Sequence, residues 1–162
     1  MACCKRISQR RNTSVNVRVF NQNNFIPSAV EILGPTTQTA NAGEELLFLQ
    51  TNYNTGASFS PRLDGMGVDI VASGVYKISF TGVASSTQTQ TVSLALALNG
   101  SPFPQSEVSQ LVFANGPQIV SASTIFKVIS PSANIAVVNS GVNSFNIQNA
   151  KLDIVRIGNF WF

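Results

Sequence analysis

The sequence predicts an all-β protein, a sandwich or barrel of roughly seven to ten short strands, and three observations carry that prediction. Short runs rich in Val, Ile, Thr and Phe follow one another, with Gly, Asn, Ser and Pro between them. No stretch shows the capped 3.6-residue apolar period of an amphipathic helix. Charged residues make up only 10% of the chain, well under the roughly 25% usual for a soluble protein, so Ser, Thr, Asn and Gln must cover the surface. Such a surface repels its neighbours weakly and favours close packing against other copies. A length of 162 residues suits one domain with a real core.

The first element is a head, "MACCKRISQRR", unlike anything later in the chain. Lys5, Arg6, Arg10, Arg11 and Arg18 are five of the ten basic residues, and no acid occurs in the first eighteen positions. The body keeps five basic against seven acidic side chains, so the basicity belongs to the head. This divides the chain into a basic connector arm, residues 1–20, and a folded domain, residues 21–162. Both cysteines, Cys3 and Cys4, lie in the arm and leave the body unstapled. Adjacent Cα atoms are about 3.8 Å apart, short of the roughly 4.4 Å a disulfide needs, so bonds to other chains are easier than a bond within the pair. Two free thiols at a terminus is the alternative reading of the same residues. Fully extended, the arm through Arg18 spans about 60 Å. No apolar run reaches the roughly 18 residues of a membrane span, and no cleavable signal peptide is expected.

The body then reads as strands. "EELLFLQTNY" is apolar with Thr and Tyr and stops at "NTG". In "VDIVASGVYKISFTGV" strict alternation after Gly74 places Tyr76, Ile78 and Phe80 on one face and Lys77, Ser79 and Thr81 on the other. "TVSLALALNG" sets Leu94, Leu96 and Leu98 opposite Ala95 and Ala97 and ends in an Asn-Gly turn. The leucine side belongs in a core. The alanine side predicts a tight contact with a second surface, either a neighbouring subunit or a covering loop. "QIVSASTIFKVIS", "ANIAVVNSG", "SFNIQNA" and "KLDIVRIG" complete the series.

Three pieces in this order go beyond class: "VASGVYKISFTGVAS", "SLALALNGSPFPQS", and "ANIAVVNSG" followed by "NAKLDIVRIG". Together they resemble the TNF-like jelly roll of the complement first component's q-chain heads and of bacterial relatives, above all the C-terminal heads of exosporium collagen-like glycoproteins. The carrying positions are Gly74 and Tyr76, Asn99 and Gly100, Asn139, and Ala150, Leu152, Ile154, Arg156, Ile157 and Gly158. The resemblance spans roughly residues 28 to 158. It implies a ten-stranded sandwich that forms homotrimers, with Tyr76 and Phe80 at or near the threefold contact; ordinary core packing is the other reading of both.

The chain departs from that pattern at each end. No Gly-X-Y stalk precedes the domain, and the terminal "NFWF" adds Phe160, Trp161 and Phe162, too apolar to stand in water and expected to pack on this chain or another copy. A Cys-Cys pair ahead of a jelly roll also resembles the subunits of bacterial endospore appendages, whose connectors reach a neighbouring subunit and form intermolecular disulfides. That likeness implies a docking arm in which Ile7 anchors, Lys5, Arg6, Arg10 and Arg11 bond the receiving trimer, and Cys3 and Cys4 lock the joint. It also implies a spore-surface or exosporium location.

Chemistry for catalysis is absent from the pattern. The chain has no histidine, which removes the usual general base and most zinc ligation. Nucleophile elbow, P-loop and dinucleotide fingerprints are missing as well. "DGMGVD" fits no EF-hand spacing and reads as a solvated turn, although related trimeric heads sometimes bind calcium. The expectation is a non-enzymatic structural protein without cofactor or metal. Its partners are other copies of itself, plus an anchor protein and a tip protein at the ends of a fibre, with no nucleic acid and no membrane span.

Two other readings use the same residues. A ligand- or glycan-binding trimeric head would draw on Tyr53, Phe59 and Arg62 in "TNYNTGASFSPR". A small viral capsid protein would use the basic arm to neutralise phosphates.

Overall fold

The computed structural model describes residues 27–129 and 132–159. Within them the chain forms β1 (Ser28–Leu33), β2 (Thr37–Ala40), β3 (Gln50–Thr55), β4 (Phe59–Pro61), β5 (Val68–Ile70) and β6 (Gly74–Ser85). It continues through β7 (Gln90–Leu98), β8 (Ser101–Pro102), a 3-10 turn at Pro104–Ser106, β9 (Val108–Val112), β10 (Gln118–Val128), β11 (Ala133–Asn139) and β12 (Phe145–Gly158). The connector arm and the three terminal aromatics, with the cysteine and docking assignments made for them, lie outside the described residues, as does the boundary between arm and domain.

Two antiparallel sheets pack face to face, as the predicted jelly roll requires. The first runs β10-β6-β12-β1-β3, with β2 paired to the early part of β12; the second runs β4-β5-β11-β7-β8, with β9 paired to β7. The ten expected strands become twelve segments because very short pieces such as β4, β5 and β8 are paired separately.

Alternation builds the core between the sheets. Tyr76, Ile78 and Phe80 of β6 and Leu152 and Ile154 of β12 point inward from the first sheet, and Leu94, Leu96, Ile135 and Val137 meet them from the second. Burying each such side chain contributes about 1.5–3 kcal/mol. Phe59, Tyr76, Phe126 and Phe103 form a chain of rings with centroids 5.7 to 6.1 Å apart. The Tyr76 hydroxyl donates to the Ala72 carbonyl at 2.6 Å, which satisfies the polar end of a buried ring.

Local chemistry fixes the turns. Asn99 and Gly100 both have positive φ, 51° and 76°, as a two-residue hairpin turn of the primed type demands, and they join β7 to β8. Gly67 lies against the Ile135 carbonyl, where a Cβ would sit 2.0 Å from the oxygen. Buried Asn139 donates to the Ala40 and Asn143 carbonyls and accepts from Gly141 N–H, so it organises the turn after β11.

Two readings of the sequence change. "EELLFLQTNY" is not one strand, because β3 begins at Gln50. Its apolar half is a crossing between the sheets: Leu46 N–H donates to Val137 in the second, and Leu49 N–H to Leu33 in the first. Leu46 and Phe48 are buried without belonging to a strand. "SFNIQNA" and "KLDIVRIG", read apart, are one 14-residue strand, bent where its register to β6 shifts between Gln148 and Lys151. Asn149, with φ of 51°, makes that bend.

Candidate functional site

The first sheet has a core face and an outward face, and strand register determines what the outward face carries. Ile125 on β10 opposes Lys77 on β6, which opposes Val155 on β12, which opposes Ala29 on β1. Two residues along lies the row Ser123, Ser79, Asp153, Glu31 and Tyr53. Beyond it come Ser121, Thr81, Lys151, Leu33 and Gln50. Ile119 and Ile125 are 72% and 62% exposed, and Val155 and Ile157 are also exposed. Large β-branched side chains in water on one sheet face form a surface suited to covering by another protein.

A charged cluster lies at its centre. Glu31 and Asp153 are cross-strand partners on β1 and β12, a like-charge arrangement that is unfavourable on its own. Lys151 resolves it, with Nζ 3.1 Å from Glu31 and 3.2 Å from Asp153. The Asn52 amide donates to Glu31, and the Tyr53 hydroxyl donates to Asp153 Oδ1 at 3.4 Å. The two carboxyls therefore differ. The Asn52 hydrogen bond, with one from Asp153, holds Glu31 below the usual glutamate range. Burial, with a hydrogen bond to Glu31, pushes Asp153 above the usual aspartate range. Hydrogen bonds to both carboxylates raise Lys151, and burial next to Asp153 raises the Tyr53 hydroxyl.

Tyr76 and Phe80, expected either at or near the threefold contact or in ordinary core packing, lie in the core of a single chain. They are 0% and 1% exposed there, so they have no surface left to bury against a second one. The outward face opposite them carries Ile119, Ile125 and Val155, while other exposed apolar groups such as Leu63, Phe113 and Val142 lie elsewhere on the chain. Ala95 and Ala97, expected under a tight contact, form a buried cluster with Ala136 and Val138 on the side of β7 and β11 away from the main core.

The stacking loop is not assembled either. Phe59 packs edge-on against Tyr76, Arg62 pairs with Glu45 at 2.9 Å and Asp64 at 2.5 Å, and only Tyr53 reaches the outward face. In "DGMGVD", Asp64 accepts from Met66 N–H at 2.9 Å and serves Arg62. Among the described residues no group of three or more His, Cys, Asp or Glu is placed to hold a metal ion. Of the closing motif, Ala150, Leu152 and Ile154 are core, while the Arg156 guanidinium donates to the Ser73 carbonyl at 2.8 Å and to Asn159 at 3.0 Å, tying down the end of the sheet.

Sequence reasoning missed the Glu31–Lys151–Asp153 cluster. The alternation of "KLDI" places Lys151 and Asp153 on one face opposite Leu152 and Ile154, which was a readable signal. Glu31 joins them only through the β1–β12 register.

No protein-family model and no curated protein matches this chain. Solved structures match it in fold. Eiger TNF from S. frugiperda superposes with a TM-score of 0.60 at 12% identity, over 85% of this chain and 97% of that one. The globular domain of zebrafish complement 1qA gives 0.59 at 16%, over 83% and 100%. The PRD1 vertex protein P5 gives 0.55 at 16%, over 81% and 97%. At such identities the likeness is one of fold, and the fold of this chain is the jelly-roll sandwich shared by TNF-like and complement-q-like domains.

Proposed function

We propose that this protein is a non-enzymatic structural subunit that forms a homotrimer through the outward face of its first sheet and polymerises head to tail through the arm. The observation that carries the reading is the exposure of Ile119, Ile125 and Val155 on that one face. The face belongs to the strands whose opposite sides build the core, so it is rigid and prepared for a partner. A chain with 10% charged residues has little electrostatic repulsion to hold its copies apart.

The arm supplies the second contact. Cys3 and Cys4 form disulfides with a neighbouring trimer, Ile7 anchors, and Lys5, Arg6, Arg10 and Arg11 bond its carbonyls and carboxylates. A head-to-tail contact on a threefold unit does not close and generates a filament. Phe160, Trp161 and Phe162 pack in the trimer or at the joint. Partners are further copies, with an anchor and a tip protein at the ends. The resemblance to exosporium heads and endospore appendages supports a location on a bacterial spore surface.

Negative-stain electron microscopy of the full chain beside a chain lacking residues 1–14 tests this. Filaments from the first and isolated trimers from the second are expected, with filaments of a Cys3→Ser/Cys4→Ser variant falling apart under mild denaturant. Isolated trimers from both chains would leave a ligand- or glycan-binding head as the better account.

A second reading is a small viral capsid protein whose basic arm binds nucleic acid; the likeness in fold to the PRD1 vertex protein P5 supports its first half. Its mark is co-purified nucleic acid released by salt.

A further inference from the structure

The carboxyl pair on the outward face bears directly on assembly. Lys151 supplies one positive charge to two carboxylates, so with both ionised the cluster carries a net charge of about −1, and a threefold contact repeats it in every subunit. Covering that charge with protein is costly, because an ion without full compensation loses its hydration. A proton on Asp153 removes the surplus. Its O–H then donates to Glu31 across the pair, and Glu31 with Lys151 remains a neutral ion pair that can be covered cheaply.

The other groups in direct reach of the pair are neutral and leave the cluster's own balance in place. From β3 the Tyr53 hydroxyl and the Asn52 amide face the cluster; both are neutral donors. From β6 and β10 the partners in the same row are Ser79 and Ser123, hydroxyls without charge. Lys77, on the adjoining row, and Lys127, one row further, are exposed cations on the same face, in register with Val155 and Val75. Asp153 is already held above its ordinary range by burial and by Glu31, whereas Glu31 is held below its own, so the proton goes to Asp153.

We propose that the Glu31–Asp153 pair makes association of the chain acid-strengthened, one proton per subunit being taken up at Asp153 as a second copy covers the face. This rests on the reading of the face as the contact between copies.

The test is the mass of the full-length protein by light scattering, with sedimentation to find the concentration at which half the chains are associated, at pH 7.5 and pH 5, for the native chain, Asp153→Asn and Glu31→Gln, each run beside its counterpart lacking residues 1–14 so that trimer formation is read apart from the joining of trimers. The native midpoint is expected to fall by at least about tenfold at pH 5, the scale of one pK unit per subunit. A carboxamide imitates the protonated carboxyl, so Asp153→Asn should associate at pH 7.5 as tightly as the native chain does at pH 5 and lose the pH dependence. Glu31→Gln also removes the surplus charge and should weaken the dependence. A native trimer whose midpoint is unchanged or rises at pH 5 overturns the switch and leaves the trimer standing. A monomer at every pH in all three proteins overturns the trimer reading itself.

Discussion

Glu31 and Asp153 face each other across the β1–β12 pairing, and the Lys151 ammonium lies 3.1 and 3.2 Å from their carboxylates. Three charges from two strands thus form one unit on the outward face of the first sheet.

The unit makes Lys151 important to the fold beyond an ordinary surface ion pair. Lys151→Met should destabilise the domain by about 1–2 kcal/mol, since it removes the cation and leaves two opposed carboxylates; the partial exposure of the lysine keeps the figure small. Adding Glu31→Gln should restore most of the loss. Urea unfolding at neutral pH measures both, and a double variant as weak as the single one would contradict the account.

The two carboxyls move stability with pH in opposite directions. Asp153 titrates above its unfolded value of 3.8, so its ionisation opposes folding at neutral pH and that penalty fades as pH falls through the folded value toward 3.8. Glu31 titrates below its unfolded value of 4.5, so its stabilisation is complete above 4.5 and is lost as pH falls through the folded value. Asp153→Asn should therefore be more stable than the native chain at pH 7 and lose that advantage by about pH 4. Unfolding series at pH 7, 5.5 and 4 would show it, and an advantage that grew on acidification would contradict it.

The two faces of the first sheet should separate in mutagenesis. Phe80→Ala, in the core, should cost about 3–5 kcal/mol and unfold much of the protein at body temperature. Tyr76→Phe removes only the hydroxyl bond to Ala72 and should cost about 1 kcal/mol. Ile125→Ser on the outward face should change folding by less than about 0.5 kcal/mol while abolishing the trimer. Thermal melts paired with light scattering distinguish these outcomes; an assembled Ile125→Ser protein would remove that side chain from the contact.

Gly67 should tolerate no side chain. A Cβ there would meet the Ile135 carbonyl oxygen at 2.0 Å, on a backbone with φ of 145°. Gly67→Ala is expected to cost about 2 kcal/mol or more, measured by urea unfolding. Gly43, with open space around its Cβ position, should lose less on the same substitution.

The sequence by itself determined the class of fold, the faces of its strands and one turn. Alternation in "GVYKISF" and "SLALAL" needs no knowledge of neighbours, because successive side chains on an extended backbone must point to opposite sides. Asn99-Gly100 likewise demands its own local conformation. Tertiary structure decided which strands pair, that "EELLFL" crosses from one sheet to the other, and that "SFNIQNA" and "KLDIVRIG" are a single bent strand. It also decided that Tyr76 and Phe80 face the core and that Glu31 meets Asp153. Each of these depends on the register between segments far apart in the chain, where hydrogen bonds and buried side chains select among alignments that local pattern leaves equivalent.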